Sequence, residues 1–264
     1  MKVDRANPLW RFHGITPMAI FFFAYLYLPI IVLLVLSFNE NRLATIWTGF
    51  STKWYSVVLG NDDILRAAKN SLVIGLSATV LATFTATLAA MGMARGRFRG
   101  EGGVAAMLTL PLLVPEIVTA IATLLFFIVI GVKLGLISII VAHTVFCIPF
   151  AYLPIRARLE GMDPALIEAA NDLYANEWQA FKRITFPLLW PGILSGAMLS
   201  FIISLDDFVI SYFVGGAGST TLPIYIFGMI RIGITPEVNA VSALMLIISI
   251  LFVSISFLID RIRY

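Results

Sequence analysis

Charge is scarce in this chain. Only 12% of its 264 residues are charged, about half the share of an ordinary soluble domain, while 60% are hydrophobic and the mean hydropathy is +0.96. The length would suit one or two soluble domains, but this composition excludes them. Cys147 is the single cysteine, so no intrachain disulfide can form, and it reads as a small buried apolar residue. Histidine occurs only at His13 and His143. With no metal-ligand cluster and no nucleophile elbow, a membrane-embedded enzyme lacks its chemistry here. The phosphate loop GxxxxGK[ST] is also missing, so the chain cannot supply an ATPase of that kind. The alternating strands of a membrane barrel, about 10 residues each, do not occur. No linker, low-complexity tract or short repeat interrupts residues 1–264, which read as one integral domain.

What is present is long apolar runs. Uncharged stretches near twenty residues read as membrane helices, and backbone groups in lipid must be satisfied within the segment. Six are expected, at 16–38, 71–94, 104–130, 136–155, 189–212 and 238–259. The fold class is thus all-α integral membrane. The apolar core of the first run is too long for a signal h-region of roughly 7–15 residues, and it is expected to stay as an anchor. Pro111 and Pro115 predict a kink in the third. Ser51–Leu59 and Leu222–Ile232 are too short to cross and are expected at the interface, and Thr235-Pro236 resembles a helix start.

Basic residues are distributed unevenly. Lys2, Arg5, Arg11, Arg95, Arg97, Arg99, Arg156, Arg158, Lys182, Arg183, Arg261 and Arg263 fall on one side of this topology. Arg42, Lys53, Arg66, Lys69, Lys133 and Arg231 fall on the other. The positive-inside rule then places both termini and the 156–191 loop in the cytoplasm. The net charge of +3 is this topology signal, not a nucleic-acid footprint. Tyr25, Tyr27 and Trp54 read as interfacial anchors.

That loop is the largest polar island in the chain. Asp163-Pro164 supplies a capping acceptor and a proline at a helix start, and good helix formers follow to Leu173. Asn176 with Gln179 three residues on has the form of a capping box, predicting a second helix over 177–184 that Pro187 and Pro191 end. Two short helices here suit docking of a soluble partner; equally, they could simply cover the bundle.

Three acids lie inside the spans, Glu116, Asp206 and Asp207, with no Lys or Arg in any span. A carboxylate at the bilayer centre costs at least about 2.5 kcal/mol, so each must be protonated, face water or meet a cation. In straight helices Glu116 and Asp207 would rise roughly 18 and 24 Å from the cytoplasmic end and could share a cavity. Ser200, Ser204, Asp207 and Ser211 recur at steps of 4, 3 and 4, one helical face. That face favours Asp207 over Asp206 as pathway-lining, the competing role being to hold the bundle together. An acidic cavity favours a cationic substrate, with Phe208, Tyr212 and Tyr225 as candidate cation–π partners. His143 reads as bonded to a neighbouring helix in preference to a proton relay.

Glu168-Ala169-Ala170, Asp172-Leu173, Ala175, Phe181, Ile184 and Pro187 resemble the EAA loop of importer-type ABC transporter permeases, the MetI-like, binding-protein-dependent family. The resemblance implies six membrane helices with a cytoplasmic coupling loop. It also implies that Asp163, Glu168, Ala169, Ala170, Asp172, Leu173, Tyr174 and Ala175 engage a separate nucleotide-binding subunit that holds ATP and Mg. Tyr174 stands where the family has glycine, and a tyrosine turns left-handed only with strain. SLDDFVISYFVGG (204–216), YLPIIVLLVLSFN (27–39) and GITPEVNA (233–240) are similar to the second permease of the spermidine/putrescine importers. This implies two ATPase copies, a homologous sibling permease and an extracytoplasmic binding protein, in a bacterial inner membrane. It also implies a polyamine substrate, or else another amine, an amino-acid-like or an opine-type solute. A pathway over Glu116, Ser204, Asp206, Asp207, Ser211 and Tyr212 fits that branch. From the residues alone, an ion-coupled secondary transporter with the acids as a relay is the competing class, and it has no need of residues 163–187.

Overall fold

The computed structural model describes residues 15–42, 46–94, 98–233 and 235–262, with backbone alone at 255–257 and 259–262. Lys2, Arg5, Arg11, His13, Arg95, Arg97 and Arg263 lie outside these residues, as does the side chain of Arg261. Every regular element described is helical: α1 (Ile15–Leu36), α2 (Lys53–Leu59), α3 (Asp62–Ala94), α4 (Glu101–Thr109), α5 (Glu116–Val129), α6 (Leu136–Glu160), α7 (Ala165–Asp172), α8 (Glu177–Ala180), α9 (Phe186–Asp206), α10 (Val209–Val214), α11 (Leu222–Ile232) and α12 (Pro236–Ile262). Five helical runs are long and apolar enough to cross a bilayer: α1, α3, α6, the continuous stretch Glu177–Asp206, and α12. One further apolar pair is sharply broken: α4 with its 3-10 extension Leu110–Leu112 meets α5 at a 111° bend, and counted as one span it would bring the number to six.

Three expectations are corrected. α3 begins nine residues before the predicted span, because Asn61 Oδ1 accepts from the Asp63 and Ile64 amides and nucleates the helix ahead of its apolar part. The kink in the third span is a full break: Pro115 takes an extended ψ of 133° before α5 starts, and its missing N–H cannot continue the ladder. The second loop helix does not end at Pro187 and Pro191 but continues into the fifth span, and that span does not run on to 212. A π turn over Phe181–Thr185 widens the helix where the Pro187 ring must clear a carbonyl, and the helix stops at Asp206 before restarting as α10.

The chain divides into two units, residues 1–60 with 229–246, and residues 61–228 with 247–264. In the first, α1 leads into a polar knot. Asn39 is fully buried; its Nδ2 donates to the Ile46 carbonyl at 2.7 Å, and its own carbonyl accepts from Trp54 Nε1 at 2.8 Å. Ser37 Oγ and Tyr55 OH are 2.7 Å apart, and Phe38 packs against the rings of both Phe50 and Tyr55. Trp54 and Tyr55, expected at headgroup depth, thus tie this loop together.

The second unit is built on α3, α6 and α9. Buried Ala67, Ser71, Ala78, Ala82, Ala86 and Ala90 give α3 a face of small side chains, the device that lets membrane helices approach closely where no hydrophobic effect drives them together. Gly196 of α9 has the same role: a Cβ there would lie 2.7 Å from the Ala151 carbonyl oxygen of α6. Cys147 is buried at this seam with its Sγ 3.5 Å from the Ser200 carbonyl. One core cluster joins Ile74, Ala120, Phe127, Ile139, Ala142, Ile210 and Val214; another joins Ala86, Ala90, Ala151, Tyr152, Ile155 and Leu189. Phe252 of α12 stacks on Phe201 with ring centroids 3.8 Å apart.

Candidate functional site

The break between α9 and α10 carries the acids. Asp207 turns out of the helix at ψ 124°, and its carboxylate accepts from the Ile210 amide at 3.2 Å and the Ser211 amide at 2.9 Å. It therefore caps α10, where an anion also meets the positive end of the helix dipole. On its other side it pairs with His143 Nε2 of α6 at 3.0 Å, both side chains almost wholly buried. His143 Nε2 also lies 3.0 Å from Ser211 Oγ, and its Nδ1 lies 2.7 Å from Ser204 Oγ.

The stripe Ser200, Ser204, Asp207, Ser211 is real as a face, since all four are buried. It faces α6, however, not an open pathway. Of the two aspartates, Asp207 is the buried clasp and Asp206 carries the exposed carboxyl. The straight-helix rise expected for Glu116 also fails, because Glu116 opens α5 beyond the 111° bend. The bend nevertheless brings it to the same place. Glu116 sits in the first turn of α5, Asp207 caps α10, and α5 packs on α10. Tyr212 is exposed and stacked on Phe208 at 5.3 Å, and Phe208 meets Phe227 at 4.7 Å. Asp206 and Tyr212 are thus exposed at the same break at which Asp207 is buried.

His143 is the residue whose importance the sequence understated; its signal was a lone imidazole in an apolar span. His143→Leu is expected to remove one of the hydrogen-bond partners of the buried Asp207 and to cost about 1–3 kcal/mol. The check is a fall in the unfolding midpoint of the detergent-solubilised protein, larger than that of Ser204→Ala.

The second candidate region is the polar loop. Asp163 Oδ1 accepts from the Ala165 amide at 3.0 Å, starting α7. The capping box forms in full, with Asn176 N donating to Gln179 Oε1 and Gln179 N donating to Asn176 Oδ1, each at 2.9 Å. Only Ala170 and Ala180 of α7 and α8 are buried. Glu168, Ala169, Asp172, Leu173 and Tyr174 are exposed, and Ala175 is half-buried. Ile167, Asn171, Glu177 and Phe181 line a cavity of about 500 Å³ beneath α7, with Met91 and Leu159 opposite. Trp178, Phe181, Phe186 and Trp190 form a ladder with ring centroids 5.6–5.8 Å apart. Its spacing of 3, 5 and 4 stays on one face because the π turn supplies the five-residue step. Arg158 at the end of α6 donates from Nε to the Leu188 carbonyl at 2.8 Å, tying the loop's two roots together.

The described residues thus hold five long apolar helices and one broken apolar pair, with two short exposed helices between α6 and α9. Residues 6–264 match the family described as binding-protein-dependent transport system inner membrane component, and the chain belongs to that family. It is thus an inner-membrane permease subunit and not itself an enzyme. It is 42% identical over 239 residues to the spermidine/putrescine transport system permease protein PotC of Escherichia coli (strain K12), covering 90% of each chain. Identity is 43% to the protein of the same name from Haemophilus influenzae, over 90% of this chain and 93% of that one. With the putrescine transport system permease protein PotI of E. coli (strain K12) it is 40%, over 85% and 82%. Among solved structures, a bacterial alginate ABC transporter aligns with TM-score 0.70 at 18% identity, over 94% of this chain and 93% of that one. The inward-facing MetNI methionine ABC transporter aligns with TM-score 0.65 at 20% identity, over 76% and 95%. At those identities the structures speak for the fold.

Proposed function

We propose that this chain forms one membrane half of an ATP-driven importer that carries spermidine, putrescine or a closely related organic cation into the cytoplasm. The observation that carries the substrate class is the packing of α5, which Glu116 opens, against α10, which Asp206 and Asp207 directly precede, in a chain more than 40% identical to spermidine/putrescine permeases along nine-tenths of its length. A desolvated ammonium group needs charge partners and aromatic faces, and this region offers both. Glu116, Asp206 and Tyr212 line the pathway in this reading; Ser204, Asp207 and Ser211 hold its wall.

Both termini and the α7–α8 loop face the cytoplasm, as the basic residues require. There the loop residues Asp163 to Ala175 dock a nucleotide-binding subunit, and that subunit holds ATP and Mg. Two copies of it, a homologous sibling permease and an extracytoplasmic binding protein complete the transporter. Closure of the ATPase pair moves α7 and α8, and the Glu177–Asp206 helix carries that motion to the acids as one rod. The test is uptake by proteoliposomes holding the whole assembly. ATP-dependent accumulation of labelled spermidine or putrescine, unaffected by dissipating ion gradients, is expected. Accumulation that needs an ion gradient and no ATPase would sink the reading.

A further inference from the structure

Tyr174 is the only non-glycine residue with positive φ among the described residues, at φ 59°. It occupies the left-handed position of a complete Schellman turn ending α7. The Tyr174 amide donates to the Asn171 carbonyl at 2.9 Å, and the Ala175 amide reaches back to the Ala170 carbonyl at 3.0 Å. Glycine suits that position and asparagine tolerates it; an aromatic L-residue there bears roughly 1–2 kcal/mol of strain. A strained residue is normally retained for what its side chain touches, yet Tyr174 is 97% exposed. Within this chain the ring gains no packing in return. Leu173 beside it is 81% exposed and Trp178 is 65% exposed, so the turn presents an apolar tip. Glu168 and Asp172, an i,i+4 pair of like charge and both exposed, flank it on α7.

From these features we infer that Tyr174 is an anchor which inserts into an apolar, basic-rimmed pocket of the nucleotide-binding subunit and selects the ATPase this permease accepts. The inference rests on the docking reading above and adds the identity of its central contact. A rigid aromatic knob ringed by charge has the composition of an interface hot spot. The two carboxylates set the charge complementarity the rim would need, since a basic partner offsets their mutual repulsion once water is excluded. The strain then makes sense: the left-handed turn points outward the one ring that a glycine turn would not have.

The experiment compares Tyr174→Phe, Tyr174→Gly and Tyr174→Asn in the reconstituted complex, measuring the Kd of the nucleotide-binding subunit and the thermal midpoint of the permease. Gly and Asn both accept positive φ, so neither is expected to unfold the turn. Tyr174→Gly and Tyr174→Asn should leave the midpoint equal or higher while weakening the subunit's binding at least ~10-fold, as loss of a hot-spot aromatic does. Tyr174→Phe should stay within about 3-fold of wild type, since it keeps the ring area. Wild-type binding by Tyr174→Gly, or Tyr174→Phe as weak as Tyr174→Gly, would overturn the anchor. Glu168→Lys, run alongside, separates the two levels: if it releases the subunit while Tyr174→Gly does not, the anchor alone fails. If neither has an effect, the docking reading falls as well.

Discussion

Glu168→Lys abolishes ATP-driven uptake while the protein inserts and folds as before. Glu168 is exposed in the middle of α7, and among the described residues its side chain holds no hydrogen bond; its amide donates to the Pro164 carbonyl. A lysine keeps helix propensity, so α7 persists. What changes is the face offered to the partner, from two acids four residues apart to an acid and a base. Losing one member of a desolvated charge pair costs about 2–5 kcal/mol at an interface, and reversal adds repulsion. Binding of the ATPase should therefore fall at least ~30-fold. Sedimentation of the subunit with permease-containing membranes and radiolabelled uptake are the two measurements. Intact association with normal uptake would remove α7 from the coupling role.

Asp206→Asn raises KM for a divalent organic cation about ten- to a hundred-fold, the loss expected for one charge-assisted hydrogen bond, with the thermal midpoint unchanged. Asp207→Asn behaves the other way. Its carboxylate caps α10 and holds His143, so its replacement lowers the midpoint first and transport as a consequence. The pair of variants tells the two aspartates apart only when KM and stability are measured together. A midpoint drop for Asp206→Asn as large as that for Asp207→Asn, or a KM unmoved by Asp206→Asn, would return both acids to a structural role.

Several of these assignments were legible before any coordinates. Asn176 and Gln179 announced a capping box because the reciprocal bonds need only three residues of chain. The extent of the Leu222–Ile232 helix and the start of α12 at Pro236 are legible in the same way, since local apolar length and proline's fixed φ decide them. Other features depended on partners far along the chain. Whether Asp206 or Asp207 lies in the wall turned on His143, more than sixty residues away. The break at Asp206 is invisible in hydropathy, since both halves are apolar. The π turn at Phe181–Thr185 leaves only a trace, an aromatic spacing of 3, 5 and 4 that fits no regular helix.

Sequence alone determined the class of solvent, the number of crossings to within the one broken span, the polar loop and the three acids. Each follows from transfer free energies and local backbone chemistry, summed over neighbours in the chain. Tertiary structure alone decided which acid is free. It also decided how α5, which Glu116 opens, packs on α10 beyond a 111° bend, and that Tyr174 completes its turn left-handed and exposed. Those outcomes come from competition among packing, helix capping and burial of charge between α5, α6 and α10, and no single segment contains the terms of that competition.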